Sequence, residues 1–317
     1  MKKLVLETTA PFQGLPELVA YDEGLFAKEG IEVVWADRNS VIGQSAGNLG
    51  MTSHTQSNPF ASHGKLLEQG KADMYNACEW GNYCRVGDTS VGSRQVGRRP
   101  IVTFVGIVVR PESPVYTPQQ LAGREVGVSF YAGTHYLALH LLSGFLPRDQ
   151  IKVVSAGVSA SAGAGSQKRF KMMLSGELEA TALNEPYISL AEKKGCRVIC
   201  SAFHHGTEVA SDRVDADTYA AFARAVREAV RRINANKEGY LHYFINHHKK
   251  RDPEVGTLTV ADMRVGRLQV CDPSPIPQDE MLRTYEWVKS WGMLEDGPQP
   301  MQLVNMDLQN RAHAAVM

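Results

Sequence analysis

The chain has 317 residues, with 34 Lys or Arg against 34 Asp or Glu, so its formal net charge is zero. That length suits about two domains with a sizeable core, and the balanced charge gives no global field favouring nucleic acid or an anionic membrane. Hydrophobic content of 43% is ordinary for a globular protein.

At the start, Leu4-Val5-Leu6 follows Met1-Lys2-Lys3 and is cut off by Glu7. The apolar run is too short for a signal peptide, and no stretch of transmembrane length follows. With Met1 as the natural start, a cytoplasmic protein is expected; a periplasmic one is expected only if a leader has been removed. Residues 4–8 form a first strand, and Thr8 to Gly14 an irregular loop. A helix over 16–29 opens at Pro16, with Leu18, Val19, Leu25 and Phe26 on one side. Residues 31–35 are the second strand, completing a βαβ unit. Residues 39–59 are polar, rich in Gly and Ser, and carry His54. A helix over 60–70 leads to a third strand, 72–77, which delivers Cys78-Glu79-Trp80-Gly81-Asn82-Tyr83-Cys84 to its end. Residues 86–98 read as a loop and 101–109 as a strongly apolar strand.

A short capped helix over 116–121 opens the next part. The strand 125–130 then runs through Tyr131-Ala132-Gly133-Thr134 into an apolar helix, with Thr134 as its N-cap. Such a unit turns unpaired N–H groups and a positive helix end toward the carboxyl edge of the sheet, where α/β folds hold anions. A strand over 151–154 follows. The Ser/Ala/Gly run after it lacks the lysine of a phosphate loop between 157 and 165 and reads as a linker. A helix over 167–175 and a strand over 178–183 end at Asn184-Glu185-Pro186-Tyr187. After a helix over 188–194 and a strand over 197–201, the chain crosses back from Phe203. Helices over 217–236, 240–248 and 279–291 cover the first lobe. The expected organisation is α/β and discontinuous: residues 1–110 and 203–317 form lobe 1, and residues 111–202 form lobe 2.

Five runs carry a family likeness: Glu23-Gly24-Leu25-Phe26-Ala27-Lys28-Glu29-Gly30-Ile31-Glu32-Val33, Thr117 to Val128, Met173-Leu174-Ser175-Gly176-Glu177-Leu178-Glu179-Ala180, Asn184 to Tyr187, and Ile233-Asn234-Ala235-Asn236. In this order they resemble the type II periplasmic-binding-protein family, in its sulfonate/nitrate-binding and thiamine-pyrimidine-synthase-like branch, over residues 4 to about 240. The resemblance implies two Rossmann-like lobes joined by two crossover strands and closing on a small ligand in the interlobe cleft. The loops after strands one, three, the Val126 strand and the Leu183 strand should converge there. The family also holds cytosolic enzymes: sulfinate desulfinases, thiamine-pathway pyrimidine synthases, aromatic decarboxylases and menaquinone-pathway lyases. Desulfinases carry a cysteine nucleophile in the loop after the first strand. Here that loop, Thr8-Thr9-Ala10-Pro11-Phe12-Gln13, has none, while His54 ahead of Pro59 resembles their His followed by Pro.

The expected catalytic residues are Cys78, His54 and Glu79. Cys78 would be a thiolate nucleophile if an imidazole, His54 or His135, or a helix end lowered its pKa, and a desolvated Glu79 would serve as acid or base. The expected substrate contacts are Thr9, Phe12, Gln13, Trp80, Tyr83, Tyr131, Thr134, His135, Asn184, Glu185 and Tyr187. The odd count of five cysteines, with Cys196 and Cys200 read as core, fits a reducing compartment. His204-His205 do not read as a metal pair, because adjacent strand residues face opposite ways. Neither a metal nor another cofactor is expected. The expectation is a cytosolic enzyme, of lyase, hydrolase or pyrimidine-synthase type, that cleaves or rearranges a small anionic organic or heteroaromatic substrate without metal or nucleotide. The alternatives are a solute-binding protein serving a sulfonate, nitrate or pyrimidine ABC transporter, with an ABC permease as partner, or a non-catalytic ligand sensor.

Overall fold

The computed structural model describes residues 1–41, 51–61, 63–89, 91–156, 164–294 and 299–314. Most of the 157–165 run read as a linker lies outside them. On β1 (Lys2–Glu7) Leu4 and Leu6 point into the core, and the strand leads to α1 (Pro11–Asp22). This helix starts earlier than Pro16 predicts. Pro16 has no N–H to donate, and Gly14, at φ −141° and ψ 33°, takes up the resulting kink. Gly24, at φ +68°, then separates α2 (Leu25–Lys28). β2 (Ile31–Ala36) pairs parallel to β1. The helix expected over 60–70 is reduced to a 3₁₀ turn at Pro59–Ala61 and α3 (Lys65–Glu68), because Gly64 interrupts it at φ +80°. β3 (Met74–Cys78) follows. Residues 86–98, expected as a loop, instead hold the end of α4 (Glu79–Asp88) and β4 (Ser93–Arg98).

The second sheet takes β5 (Ile101–Val109), β6 (Glu125–Val128), β7 (Lys152–Ser155), β8 (Ala180–Asn184) and β9 (Arg197–His204). Between them stand α5 (Gly133–Ser143), α6 (Ala164–Leu174) and α7 (Tyr187–Lys193). The chain returns through β10 (Gly206–Ser211) to α8 (Ala216–Ala235), α9 (Lys237–Tyr240) and α10 (His242–Lys249). Then come β11 (Gln269–Val270), α11 (Gln278–Ser290) and α12 (Met306–Ala314). Asp215 caps α8 by accepting the Thr218 N–H at 2.8 Å, and Tyr219, Phe222, Val226, Val230 and Ile233 form its buried stripe.

The first sheet runs β2-β1-β3-β10-β4, with β10 antiparallel to both neighbours; the second runs β11-β5-β8-β6-β7, with β9 also on β5. The run 101–109, which the sequence places with lobe 1, hydrogen-bonds in the second sheet, antiparallel to β8 and β9. The chain passes between the sheets through residues 99–100 and again at residue 205. Both sheets are α/β layers with parallel strands beside antiparallel crossovers. Among the described residues no helix is long and apolar enough to cross a membrane.

Candidate ligand cleft

A cavity lies between the two sheets. Strand carboxyl ends build its walls: β1 leads to Phe12 and Gln13, β2 to Arg38, β3 to Cys78, β6 to Ser129 and β8 to Asn184. Helices α5 and α6 turn their first residues toward it, contributing Gly133, Thr134, Gly165 and Ser166. The positive ends of two helices therefore face the space.

Arg169, one turn into α6, is 2% exposed. Its Nη1 donates to Ser129 Oγ at 2.5 Å and to Ala156 O at 3.4 Å, its Nη2 to Ser166 Oγ at 3.3 Å, and its Nε to Ala182 O at 3.3 Å. All four partners are neutral. Burial alone lowers its pKa, to about 9, so the guanidinium stays charged at neutral pH. No Asp or Glu stands among the described residues that line the cavity. A buried cation with no carboxylate is costly to keep, and a bound anion is what relieves it.

The facing wall carries two more guanidiniums. Arg38 donates from Nη1 to Nδ1 of His63 at 2.5 Å. The other ring nitrogen, Nε2, lies 3.2 Å from Gln13 Nε2. Burial and the Arg38 charge keep the His63 pKa well below its ordinary value. Glu7, buried behind, accepts the Gly64 N–H at 3.0 Å and balances Arg38. Arg99, fully buried, donates from Nε to Ile101 O at 3.3 Å and from Nη2 to Thr103, whose hydroxyl donates to Phe12 O at 2.8 Å. Arg99 Nη1 has no partner among the described residues. Burial lowers the Arg99 pKa to about 10.

Cys78 ends β3 and is the N-cap of α4. The Gly81 N–H and the Arg85 guanidinium both reach its sulfur and favour the thiolate, but burial outweighs them and raises the thiol above its ordinary pKa. His204 accompanies it. The His204 Nδ1 proton is held by His205 O at 2.9 Å, which leaves Nε2 as a lone-pair acceptor. A Cβ on Gly133 would lie 2.6 Å from His204 Nε2 and 3.6 Å from Cys78 Cβ, so these three residues share one small volume. Burial lowers the His204 pKa to about 3.

Of the residues expected from the sequence, Phe12, Gln13, Cys78, Thr134 and Asn184 line the cavity. Thr134 does not cap α5, which starts at Gly133; its hydroxyl instead accepts the Ser129 N–H at 3.2 Å and shapes the loop. The others sit in supporting positions. His54 bonds Trp291 O through Nε2 at 2.6 Å, away from the cavity lining. Tyr131, at φ +56°, is pinned from three sides: its hydroxyl donates to His54 O at 2.8 Å, its N–H donates to His135 Nδ1 at 3.2 Å, and its carbonyl accepts from Arg85. His135 is fully buried against Phe130, and burial keeps its pKa well below the ordinary value. Glu79 accepts from Tyr83 OH at 2.9 Å, and Trp80 packs on His204 at 5.4 Å. Thr9 donates to Asn76 at 3.3 Å, Glu185 pairs with Arg267 at 3.0 Å, and Tyr187 donates to Asp252 at 3.1 Å.

Sequence reasoning missed Arg38, His63, Arg99, Ser129, Ser166, Arg169 and His204. A signal existed for one pair, since Ser166 and Arg169 are three apart in the first two turns of a helix that follows a strand. No cluster of three or more metal-ligating side chains occurs among the described residues.

No family model matches the chain. No curated protein matches it either. Solved structures do. The alkanesulfonate-binding protein SsuA from Xanthomonas axonopodis pv. citri, bound to MOPS, superposes with a TM-score of 0.67 at 14% identity, covering 96% of this chain and 98% of that one. DSZB, a desulfurization enzyme, in complex with biphenyl-2-sulfinic acid gives 0.63 at 16% identity over 99% of each chain. A Candida albicans protein described as having the generic periplasmic binding protein structural fold gives 0.63 at 11% identity, over 99% of this chain and 95% of that one. The chain therefore has the periplasmic-binding-protein fold, and at these identities the likeness speaks for fold alone.

Proposed function

We propose that this protein binds a small organic oxyanion, of sulfonate, sulfinate or carboxylate type, in the cavity between its two sheets. The observation that carries the reading is Arg169: a buried guanidinium with hydroxyl and carbonyl partners, two helix starts beside it and no lining carboxylate. Charge-assisted hydrogen bonds to a ligand anion complete that arrangement. Solved structures of the same fold that hold a sulfonic acid buffer and a sulfinic acid fit the same chemistry. A binding role would place an ABC permease beside the protein in a transport system, or make the chain a ligand sensor.

A second reading keeps the enzyme. Its support is Cys78, a helix N-cap thiol in the same cavity that receives the Gly81 N–H and the Arg85 guanidinium. A bound substrate that brings a basic group to the sulfur would take the thiol proton, and those donors would then stabilise the thiolate. A cytoplasmic location belongs with this reading. Native mass spectrometry separates the two, using a panel of alkanesulfonates, arylsulfinates and aromatic carboxylates followed over hours. The binding reading predicts one-to-one complexes whose ligand mass never changes. Ligand mass change, or a covalent adduct on Cys78 that Cys78→Ser abolishes, would replace it with the enzyme. A chain that retains no oxyanion in the panel would refute both.

A further inference from the structure

Three guanidiniums line the cavity: Arg38, which Glu7 balances, and Arg99 and Arg169. Arg169 stands on the second-sheet wall, tied to Ser129 and Ser166. Among the described residues it shares no hydrogen-bond partner with Arg99, whose contacts are to Ile101 and Thr103. Arg99 stands on the wall formed where β4 passes into β5, beside Cys78 and Thr103. Its Nη1, on a fully buried side chain, has no partner among the described residues. The carboxylates that neighbour Arg99 are Glu17 and Glu208, both in the interior and not in the cavity lining. Burial raises both of their pKa values, which lessens the counter-charge that the pair offers Arg99.

One small oxyanion meets one guanidinium here. Satisfying both takes a longer molecule with an acidic group at each end. Resting on the oxyanion-binding reading above, we infer that the ligand is a dianion with two separated acidic groups, a dicarboxylate or a sulfocarboxylate, one head on Arg169 and the other on Arg99 Nη1. Phe12, Cys78, Gly133 and Asn184 line the same cavity. Asn184 Oδ1 is a buried acceptor without a partner among the described residues, so a hydroxyl or amine donor on the ligand would satisfy it.

The test is isothermal titration of matched pairs: 3-sulfopropanoate against propane-1-sulfonate, and butanedioate against butanoate. The inference predicts that each dianion binds at least about tenfold more tightly than its monoanion, one charge-assisted contact more. Arg99→Gln should erase that preference, and Arg99→Lys, which keeps the charge, should retain part of it. Arg169→Gln should weaken both members of each pair together. Circular dichroism melts report whether each variant folds; if Arg99→Gln does not, the wild-type pair ratios and Arg99→Lys still decide. Equal binding of dianions and monoanions would overturn the two-headed ligand and leave the oxyanion reading standing. Binding of no member of either pair would overturn both.

Discussion

Arg169 and Cys78 set the chemistry of the cleft at the level of single residues, and their titrations run in opposite senses. The guanidinium remains charged although burial lowers its pKa to about 9, whereas burial holds the thiol protonated. Cys78 should accordingly react with iodoacetamide more slowly than a free thiol at pH 7.5, its rate rising only above pH 9. Peptide mapping after timed alkylation reads this, and fast labelling at pH 7.5 would show a thiolate in the resting state. His204 carries a stability prediction. Its pKa is about 3 in the fold against an ordinary 6.5, so the folded state binds fewer protons than the unfolded one. Its contribution is present above pH 6.5 and is lost as pH falls toward 3, amounting to about 2 kcal/mol by pH 5. Glu17 and Glu208 act oppositely, since raised pKa values make the folded state hold protons. Their contribution is present below pH 4.5 and is lost as pH rises, through about 7 for Glu17. His204→Asn isolates the histidine: its melting temperature should fall less than wild type between pH 7 and pH 5, and parallel slopes would remove His204 from the account.

At the scale of elements, two glycines do different work at two helix starts. A Cβ on Gly81, in the first turn of α4, would lie 2.6 Å from the Tyr131 carbonyl oxygen and 3.1 Å from Cys78 Sγ. The backbone oxygen cannot move aside cheaply, so Gly81→Ala should cost about 1–3 kcal/mol in urea unfolding. On Gly133, which opens α5, the same atom would meet His204 Nε2 at 2.6 Å. There the imidazole, which lines the cavity, must shift, so Gly133→Ala should lower ligand affinity by about tenfold, read by calorimetric titration. These elements also mark how far the sequence could be read. β1, β2, β5 and β8 were legible because they are short apolar runs between turn residues. α4 and β4 were not, because many of their buried residues are polar. Asn82, Arg85 and Gln95 are all fully buried, Asn82 donating to Thr207 and Arg85 to Pro59 and Tyr131. A stretch of Gly, Ser and Arg looks like a solvent loop until its tertiary partners are known. The cleft followed the same division. Residues at strand ends, such as Gln13, Cys78 and Asn184, could be named from the topology. Arg99, Arg169 and His63 could not, because in sequence a cation on a helix or a histidine in a polar stretch reads as exposed.

Across the whole molecule, two sheets meet at strand carboxyl ends, and the cavity between them draws side chains from both. Neither sheet alone could place Arg99 and Arg169 around one ligand, so occupancy ties the sheets together. A bound oxyanion should therefore raise the melting temperature of the chain as one cooperative unit, by an amount that grows with ligand concentration. The central claim is that Arg169 holds the ligand's acidic group. Its most direct test is calorimetric titration of propane-1-sulfonate into wild type and into Arg169→Met, with melts establishing that both are folded. The account predicts one site in wild type and an affinity loss of about 10- to 100-fold in the variant, the range of one or two charge-assisted hydrogen bonds. Equal affinity in a folded Arg169→Met would contradict it.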